Sequence, residues 1–573
     1  MPGSMTVLIA AFVAVLLLPR IYRRLQLSRA KHPSIRGHAR MSRRLARMLP
    51  YVGYSEESAL VADGAPADLA NRRREALETL SRQLGSARKT IELTADLESG
   101  VSDLQFTNSY RVPFQFRDLA RKYFRIGVFA DATDGVRIRN LDGKWSYDLA
   151  GSYGVNLLGN DFYKGCIERG AQRVKDLGPV LGPYHPTIVE NVELIKQISG
   201  LDEVSFHMSG TEAVMQAVRL ARYHTGRSKL VMSTGAYHGW WDGVQPGVGD
   251  RRPPHDIYML KDLSEDTLRV LEHNRDIACV LVNPLQALHP NAAASSDAML
   301  IASDRGAGLD KKAYADWLGK LRDVCTRRGI VLIFDEVFVG FRLGLGGAQA
   351  YFDVRADMVT YGKTLGGGLP IGAVAGKHEV MKRYRDERPS DVCFARGTFN
   401  SHPYVMATTN EFLRYAVGSD FKAQAAEAEE TWNARAEALN ATLRESKLPV
   451  RVHNMISIWT VTYELPSRYN WMLQYYLRAE GLSLSWVGTG RFIFSHNFSD
   501  ADFAAVSDAF VRAAARMQQD GWWWQSETMT NRSIKRKVLR ELLAARFGRR
   551  RLERPSEPAR PDALPTHPRE SLR

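Results

Sequence analysis

Apolar and polar positions along this chain fall into blocks of different character. The first block, Met5 to Leu18, carries no charge, is closed by Pro19 and is followed at once by Arg20, Arg23 and Arg24. Residues 52 to 125 are polar with a helical period, clearest over Ala67 to Leu84, where Glu and Arg recur at helical spacing. From about residue 126, short apolar runs at Lys229 to Met232, Ala278 to Asn283 and Ile330 to Asp335 alternate with helical stretches such as Lys311 to Arg328. That alternation predicts an α/β fold with a mostly parallel sheet and helices on both faces. Unbroken runs such as Ile330 to Phe334 are what strands buried on both sides require. Beyond about 420, an Ala- and Glu-rich helix (Lys422 to Leu443), two or three strands and a final helix (Asp500 to Gln518) predict a smaller α+β domain. After Trp522, Trp523 and Trp524, the basic segment Ser533 to Arg551 reads as helical and the Pro-rich remainder as disordered.

These breaks divide the chain into an anchor (1–24), a basic linker with a helical extension (25–125), a large domain (126–415), a small domain (416–525) and a basic, partly disordered tail (526–573). The net charge of +15 changes the picture only through its position. Residues 20 to 49 contribute +10 and residues 532 to 573 contribute +8, so the body between is close to neutral at −3. A neutral body with two basic ends is no nucleic-acid-binding domain. Cys166, Cys279, Cys325 and Cys393 form no C-x-x-C pair, which excludes a disulfide framework and a structural zinc site and predicts a reducing compartment with no metal.

The run Met5 to Leu18 reaches only about 21 Å as a helix, against about 30 Å of bilayer hydrocarbon. Charge that follows the run, with no small-residue cleavage site, argues against a cleaved signal peptide. The basic flank predicts a single-pass anchor at the cytoplasmic membrane, its arginines on anionic lipid and the catalytic body in the cytoplasm. A helix buried within the fold is the other reading. Without such an anchor, Trp522 to Trp524 with the basic segment behind them are the next candidate for an interfacial contact.

The chemistry concentrates between residues 200 and 400. Asp335 ends an apolar strand, where ligands bind in open α/β sheets. Lys363 follows a second strand, Met358 to Tyr361, and precedes Gly366, Gly367 and Gly368, which let backbone approach a ligand. Taken alone, each also reads as an ordinary strand-end acid and surface lysine. Ser209, Gly210 and Thr211 open an apolar helical period and fall at a helix N-terminus, able to bind phosphate or simply to cap the helix. Tyr237 and His238 follow the next strand, with Tyr237 readable as core packing as well.

The stretch Leu332 to Gly376, LIFDEVFVGFRLGLGGAQAYFDVRADMVTYGKTLGGGLPIGAVAG, strongly resembles the signature of class III pyridoxal-phosphate aminotransferases. Within that class it is most similar to glutamate-1-semialdehyde aminomutase and to the aminotransferase domains of polyketide and peptide synthases, over roughly residues 130 to 520. The resemblance implies a fold-type I architecture with pyridoxal 5'-phosphate as cofactor. Lys363 would form the Schiff base, Asp335 would pair with the pyridinium nitrogen, and Ser209-Gly210-Thr211 would hold the phosphate. Tyr237 would stack on the cofactor ring, with His238 beside it. Thr398, in Gly397-Thr398-Phe399, would reach the phosphate of a neighbouring subunit, which implies a homodimer with shared active sites. Three positions depart from the pattern: Asn283 stands where the family usually has Glu, Phe338 where amine-specific relatives carry Gln, and Val339 where Thr is usual. They leave the lysine, aspartate and phosphate machinery intact and bear on how substrate is held, as does Trp240-Trp241-Asp242, which points to an apolar pocket.

The resulting expectation is an aminotransferase moving an amino group from a donor to an aldehyde, ketone or β-ketoacyl acceptor. An intramolecular aminomutase is the alternative within enzymes. A membrane scaffold that has lost turnover is the alternative outside them, and the presence of both Lys363 and Asp335 argues against it.

Overall fold

The computed structural model describes residues 2–105, 112–245, 249, 256–289, 308–484 and 491–547. Its centre is a mixed sheet of seven strands: β1 (Glu203–His207), β2 (Lys229–Ser233), β3 (Ile257–Leu260), β4 (Ile277–Val282), β5 (Val331–Asp335), β6 (Met358–Gly362) and β7 (Gly372–Gly376). They lie in the order β1-β7-β6-β5-β4-β2-β3. β7 runs antiparallel to both neighbours, and the pairs from β6 through to β3 are parallel.

The continuous apolar runs follow from burial on two faces. Along β5, Val331 and Ile333 enter one apolar cluster while Leu332 and Phe334 enter the other. A strand's two-residue period thus fills two cores at once. Helix α3 (Gly210–Thr225) covers one face through Ala213, Val214, Ala217, Val218 and Ala221. Helix α5 (Lys311–Arg328), capped by Asp310 accepting from the Ala313 N–H at 2.9 Å, covers the other.

The small domain is built on the antiparallel strands β8 (Val450–Met455), β9 (Ile458–Tyr463) and β10 (Arg491–Ile493). Helices α7 (Ser419–Glu445) and α8 (Asp500–Gln519) pack on it. Strand Trp145–Asp148 pairs in parallel with Leu482–Ser483, so chain on the N-terminal side of the large sheet is fastened to the small domain.

Both ends of the described chain are built into this body. Helix α2 (Ala67–Leu84) buries Leu77, Leu80 and Arg73. Helix α9 (Asn531–Phe547) buries Ile534 and pairs Glu541 with Arg468. Trp522 and Trp523 are core residues rather than an interfacial contact, because their indole N–H groups donate to Tyr476 Oη at 2.7 Å and Asn470 Oδ1 at 2.8 Å inside the fold. The Pro-rich tail and the last residues of the basic segment, 548–573, lie outside the described residues.

The single-pass placement at the cytoplasmic membrane requires correction. Among the described residues, no helix is long and apolar enough to cross a membrane. The apolar run is the front of helix α1 (Pro2–Ala30), which continues through the basic flank and packs on α4 (Glu265–His273). Gln26 and Ala30 are buried there, and the Ala30 carbonyl accepts from the Lys261 N–H at 2.9 Å. The other reading, a run buried within the fold, does not describe Met5 to Leu18 either, since Phe12, Val15, Leu17 and Leu18 are exposed; only the part of α1 behind the run docks.

Candidate active site

β5 ends on Asp335, and Lys363 follows directly on the end of the neighbouring strand β6, three residues after Thr360, the register partner of Asp335. Asp335 is buried and its two oxygens are held separately. Oδ1 accepts from Thr360 Oγ1 at 3.1 Å and from the Val337 N–H at 3.2 Å, and Oδ2 lies 2.7 Å from His238 Nδ1. The carboxylate therefore has one orientation. His238 is itself buried, and its Nε2 has no partner among the described residues.

Lys363 takes a left-handed backbone, φ +50°, which costs a non-glycine residue about 1–2 kcal/mol. Burial lowers its amine pKa, Asp335 opposes that shift, and the nearby Arg342 guanidinium adds to it. A larger fraction of neutral amine results than an exposed lysine would have. Phe338 closes one side, its ring centroid 5.6 Å from Nζ.

Glycines show how tightly the motifs converge. A Cβ on Gly210, at the N-terminus of α3, would lie 2.4 Å from Val337 Cγ1, and one on Gly362 would lie 3.2 Å from the same atom. The SGTEA, DEV and GK segments therefore meet at one point. Gly239, φ +90°, leaves room for Thr211, whose Oγ1 would be 2.6 Å from an added Cβ. Ser209 caps the helix by accepting from the Glu212 N–H at 3.2 Å. The first-turn N–H groups of Gly210 and Thr211 have no intrahelical acceptor. They form an anion-binding end a few ångströms from the Asp335 loop.

The structure thus gathers Ser209, Gly210, Thr211, Tyr237, His238, Asp335 and Lys363. Thr398 is not in this group, since in the single chain it stands exposed on the loop before helix α6 (Pro403–Ala416). Asn283 has a clear task at the position of a usual Glu: its Nδ2 donates to the Tyr237 carbonyl at 3.0 Å and its Oδ1 accepts from the Leu285 N–H at 3.1 Å. It fixes the loop that carries Tyr237 without placing a charge there. Val339 is buried in the core, which accounts for its apolar character.

The class-III aminotransferase profile matches residues 119–514. The chain belongs to that family. It is 34% identical over 339 residues to a glutamate-1-semialdehyde 2,1-aminomutase of Nitratidesulfovibrio vulgaris (strain DP4), covering 59% of this chain and 77% of that protein. A similar 33% over 360 residues relates it to the same-named enzyme of Methanococcus vannielii, covering 60% and 78%. Among solved structures, a glutamate-1-semialdehyde aminomutase from Pseudomonas aeruginosa PAO1 superposes with a TM-score of 0.62 at 16% identity, over 78% of this chain and 99% of that one. A transaminase solved with its pyridoxal phosphate gives 0.58 at 24%, over 69% and 92%. Family members are pyridoxal-phosphate-dependent enzymes that use an amino donor and a carbonyl acceptor, and this chain is one of them. The site fits the group: a half-buried lysine, a fixed carboxylate and a helix N-terminus converge at the carboxyl ends of β5 and β6.

Sequence reasoning missed several residues that shape this site. Thr360 sits directly opposite Asp335 on the neighbouring strand, as strand pairing alone could have indicated. Glu336, next to Asp335, is fully buried with its pKa pushed up to about 8 by desolvation, and its Oε2 accepts from the Ala348 N–H at 2.8 Å. Arg342 is buried with a pKa lowered to about 10. A charged residue inside the apolar stretch Val337 to Leu343 was the available signal.

Proposed function

We propose that this protein transfers an amino group from an amine donor to a small aldehyde or ketone acceptor, with Lys363 as the reactive amine. What carries the reading is the placement of half-buried Lys363 and doubly held Asp335 at the ends of neighbouring parallel strands, beside the N-terminus of α3. Pyridoxal phosphate, when bound, supplies an electron sink that allows an amine's Cα proton to leave. Lys363, with its lowered pKa, would be the amine that holds the cofactor, and its Nζ the group that takes up and returns the Cα proton. Asp335 would keep a proton on the ring nitrogen of the bound group, and His238, Thr360 and the Val337 N–H hold the Asp335 carboxylate in one orientation for it. Gly210 and Thr211 offer backbone N–H groups to the phosphate, with Ser209 holding the helix end in shape. Tyr237 offers an aromatic face to the ring, and Phe338 walls the site against water. Thr398, exposed in one chain, serves the phosphate of a second copy in a homodimer. Exposed aromatic side chains on the segments that reach the site, Tyr153, Tyr237 and Trp240, support an apolar acceptor.

An intramolecular amino shift is the second reading, favoured by the identity to aminomutases and by the apolar Phe338. One experiment separates the two. The full chain is loaded with pyridoxal phosphate, its visible spectrum is recorded, and amine donors are paired with aldehyde, ketone and β-ketoacyl acceptors. Donor-dependent product is expected. Isomerisation of glutamate-1-semialdehyde without any donor would replace this reading with the second, and a bound cofactor that no amine can alter would end both.

A further inference from the structure

The backbone between the strand Trp145–Asp148 and Asn160 is unusual. Gly151, Ser152, Tyr153 and Gly154 take φ values of +51°, +45°, +58° and +97°, four successive residues in the left-handed region, two of them with side chains. L residues rarely adopt this conformation singly, and a run persists only where the surroundings impose it. The imposed geometry ends on the reactive lysine: a Cβ on Gly154 would lie 2.5 Å from the Phe338 ring and 3.3 Å from Lys363 Cδ.

Two buried side chains impose it. Asp148 stands before the turn, and its Oδ1 accepts from the N–H groups of Ala150 at 2.8 Å and Gly151 at 3.1 Å. Arg342 stands behind it. Its Nη2 donates to the carbonyls of Asn156 at 2.8 Å and Gly154 at 3.4 Å, and its Nη1 donates to Ser457 Oγ at 3.0 Å and to the Phe494 carbonyl at 2.8 Å. One planar fork thus spans the strap and the small domain. The hydrogen-bond partners of the Arg342 fork are carbonyl and hydroxyl oxygens, so each bond is directional and fixes a position rather than merely offsetting charge. Further bonds extend the link both ways. The His496 N–H donates to the Leu157 carbonyl at 2.6 Å from the small-domain side. On the other side, the Leu157 N–H donates to Tyr163 Oη at 3.1 Å, and Tyr163 Oη is hydrogen-bonded to Thr364, the residue after Lys363.

We infer that Arg342 and Asp148 are positioning residues which hold residues 148–157 as a strap, so that the place of the small domain sets the place of Lys363 and Phe338. This rests on Lys363 being the reactive amine. A small-domain shift would pull the Arg342 fork, the fork would pull Gly154 and Asn156, and Gly154 would change its contact with the Lys363 chain. Lys363 is faced by the charges of Asp335 and Arg342, so a displaced strap also alters the field at its amine.

Two substitutions test it in the cofactor-loaded protein. Arg342→Lys keeps the charge and loses the fork, and Ser457→Ala removes one small-domain bond while leaving Arg342 in place. Amide hydrogen exchange over residues 150–157, measured on the cofactor-free chain, should quicken by about tenfold or more in Arg342→Lys, while exchange in β5 and α3 stays as in the wild type. In the loaded protein, the pH midpoint of the visible cofactor band should move, and kcat should fall by about 10- to 100-fold with KM changed far less. Ser457→Ala should move each readout in the same direction by a smaller step. Wild-type exchange, band midpoint and kcat in both variants would overturn the inference, as would full function with lysine at 342. Absence of any visible band in the wild-type protein would instead overturn the role given to Lys363, and the exchange measurement would still decide whether the strap is held by the fork.

Discussion

The junction that fastens the chain ends to the small domain and the junction at the strand ends of the large sheet both bury charged side chains, with different degrees of satisfaction. At the first, Arg73 is completely buried and all its nitrogens are used. Its guanidinium donates to the carbonyls of Leu60 and Gly521 and forms a two-pronged pair with Asp63, at 2.9 and 2.6 Å. Arg468 similarly binds Glu541 through both prongs, at 3.0 and 3.1 Å, and reaches the Ala62 carbonyl at 3.2 Å. At the second, His238 Nε2, Glu336 Oε1 and Asp148 Oδ2 are buried with no partner among the described residues. An unmet buried polar atom costs about 1–3 kcal/mol. The difference lies in which groups are left open: at the first junction the fastening guanidinium of Arg73 is fully used and the open atoms are the amide nitrogen of Asn470 and the indole nitrogen of Trp471, whereas at the second the open atoms belong to titratable side chains beside the proposed reacting groups.

The comparison breaks most sharply at Lys363. Lys363→Ala should fold, keep the terminal junction and lose amino transfer to background together with the visible cofactor band; turnover near the wild-type rate would remove the chemical role from the second junction. Arg73→Ala should do the reverse. Leaving Asp63 buried without its partner should lower unfolding stability by about 3–5 kcal/mol in urea titrations, with kcat per bound cofactor unchanged. A matching loss of kcat would show that the two junctions are not separable.

Glu336 sharpens the contrast through pH. Its folded pKa of about 8 is raised above the ordinary 4.5, so the folded state holds a proton that the unfolded chain releases. Wild-type stability should therefore fall as pH rises from about 4.5 to about 8, by at most about 1.4 kcal/mol per unit from this group. Glu336→Gln removes that slope, so its stability relative to wild type should improve between pH 5 and pH 8 in denaturant titrations. A constant difference across that range would mean that Glu336 is ionised in the fold. The smallest effect is expected at Thr398, where Thr398→Val should weaken cofactor binding by about 1–2 kcal/mol. Mixed dimers with Lys363→Ala chains should recover one undamaged site; confirmed heterodimers that show none would place Thr398 in its own chain's site.

Much of the large sheet could be read in advance because its signals are local. The helix Lys311–Arg328 and the strands at 229, 278, 331 and 358 stand within a residue or two of their expected bounds, since the apolar runs there are bounded by helix caps and strand-end polar groups. Asp335 and Lys363 were found because motif and strand end coincide. Arg342 escaped notice because its partners, Gly154, Asn156, Ser457 and Phe494, come from segments far away in the chain, and no periodicity records them. Asn283 looked like a missing charge until its two hydrogen bonds showed what an amide does there.

The sequence by itself determined the elements of the large sheet and the family, and pointed to the groups proposed to react, because helical and strand periods, caps and motif spacing are properties of neighbouring residues. It also marked the run Met5 to Leu18 as apolar, yet a period or a run says which surface is apolar and not what covers it. Only the tertiary structure decided that the rear of that helix docks on α4, that two of the three tryptophans are core, and that a polar extension with no visible chemistry supplies the buried Arg73. Those outcomes depend on contacts such as that of the Ala62 N–H with Tyr469 Oη, 407 residues apart, which form only when the chain closes on itself.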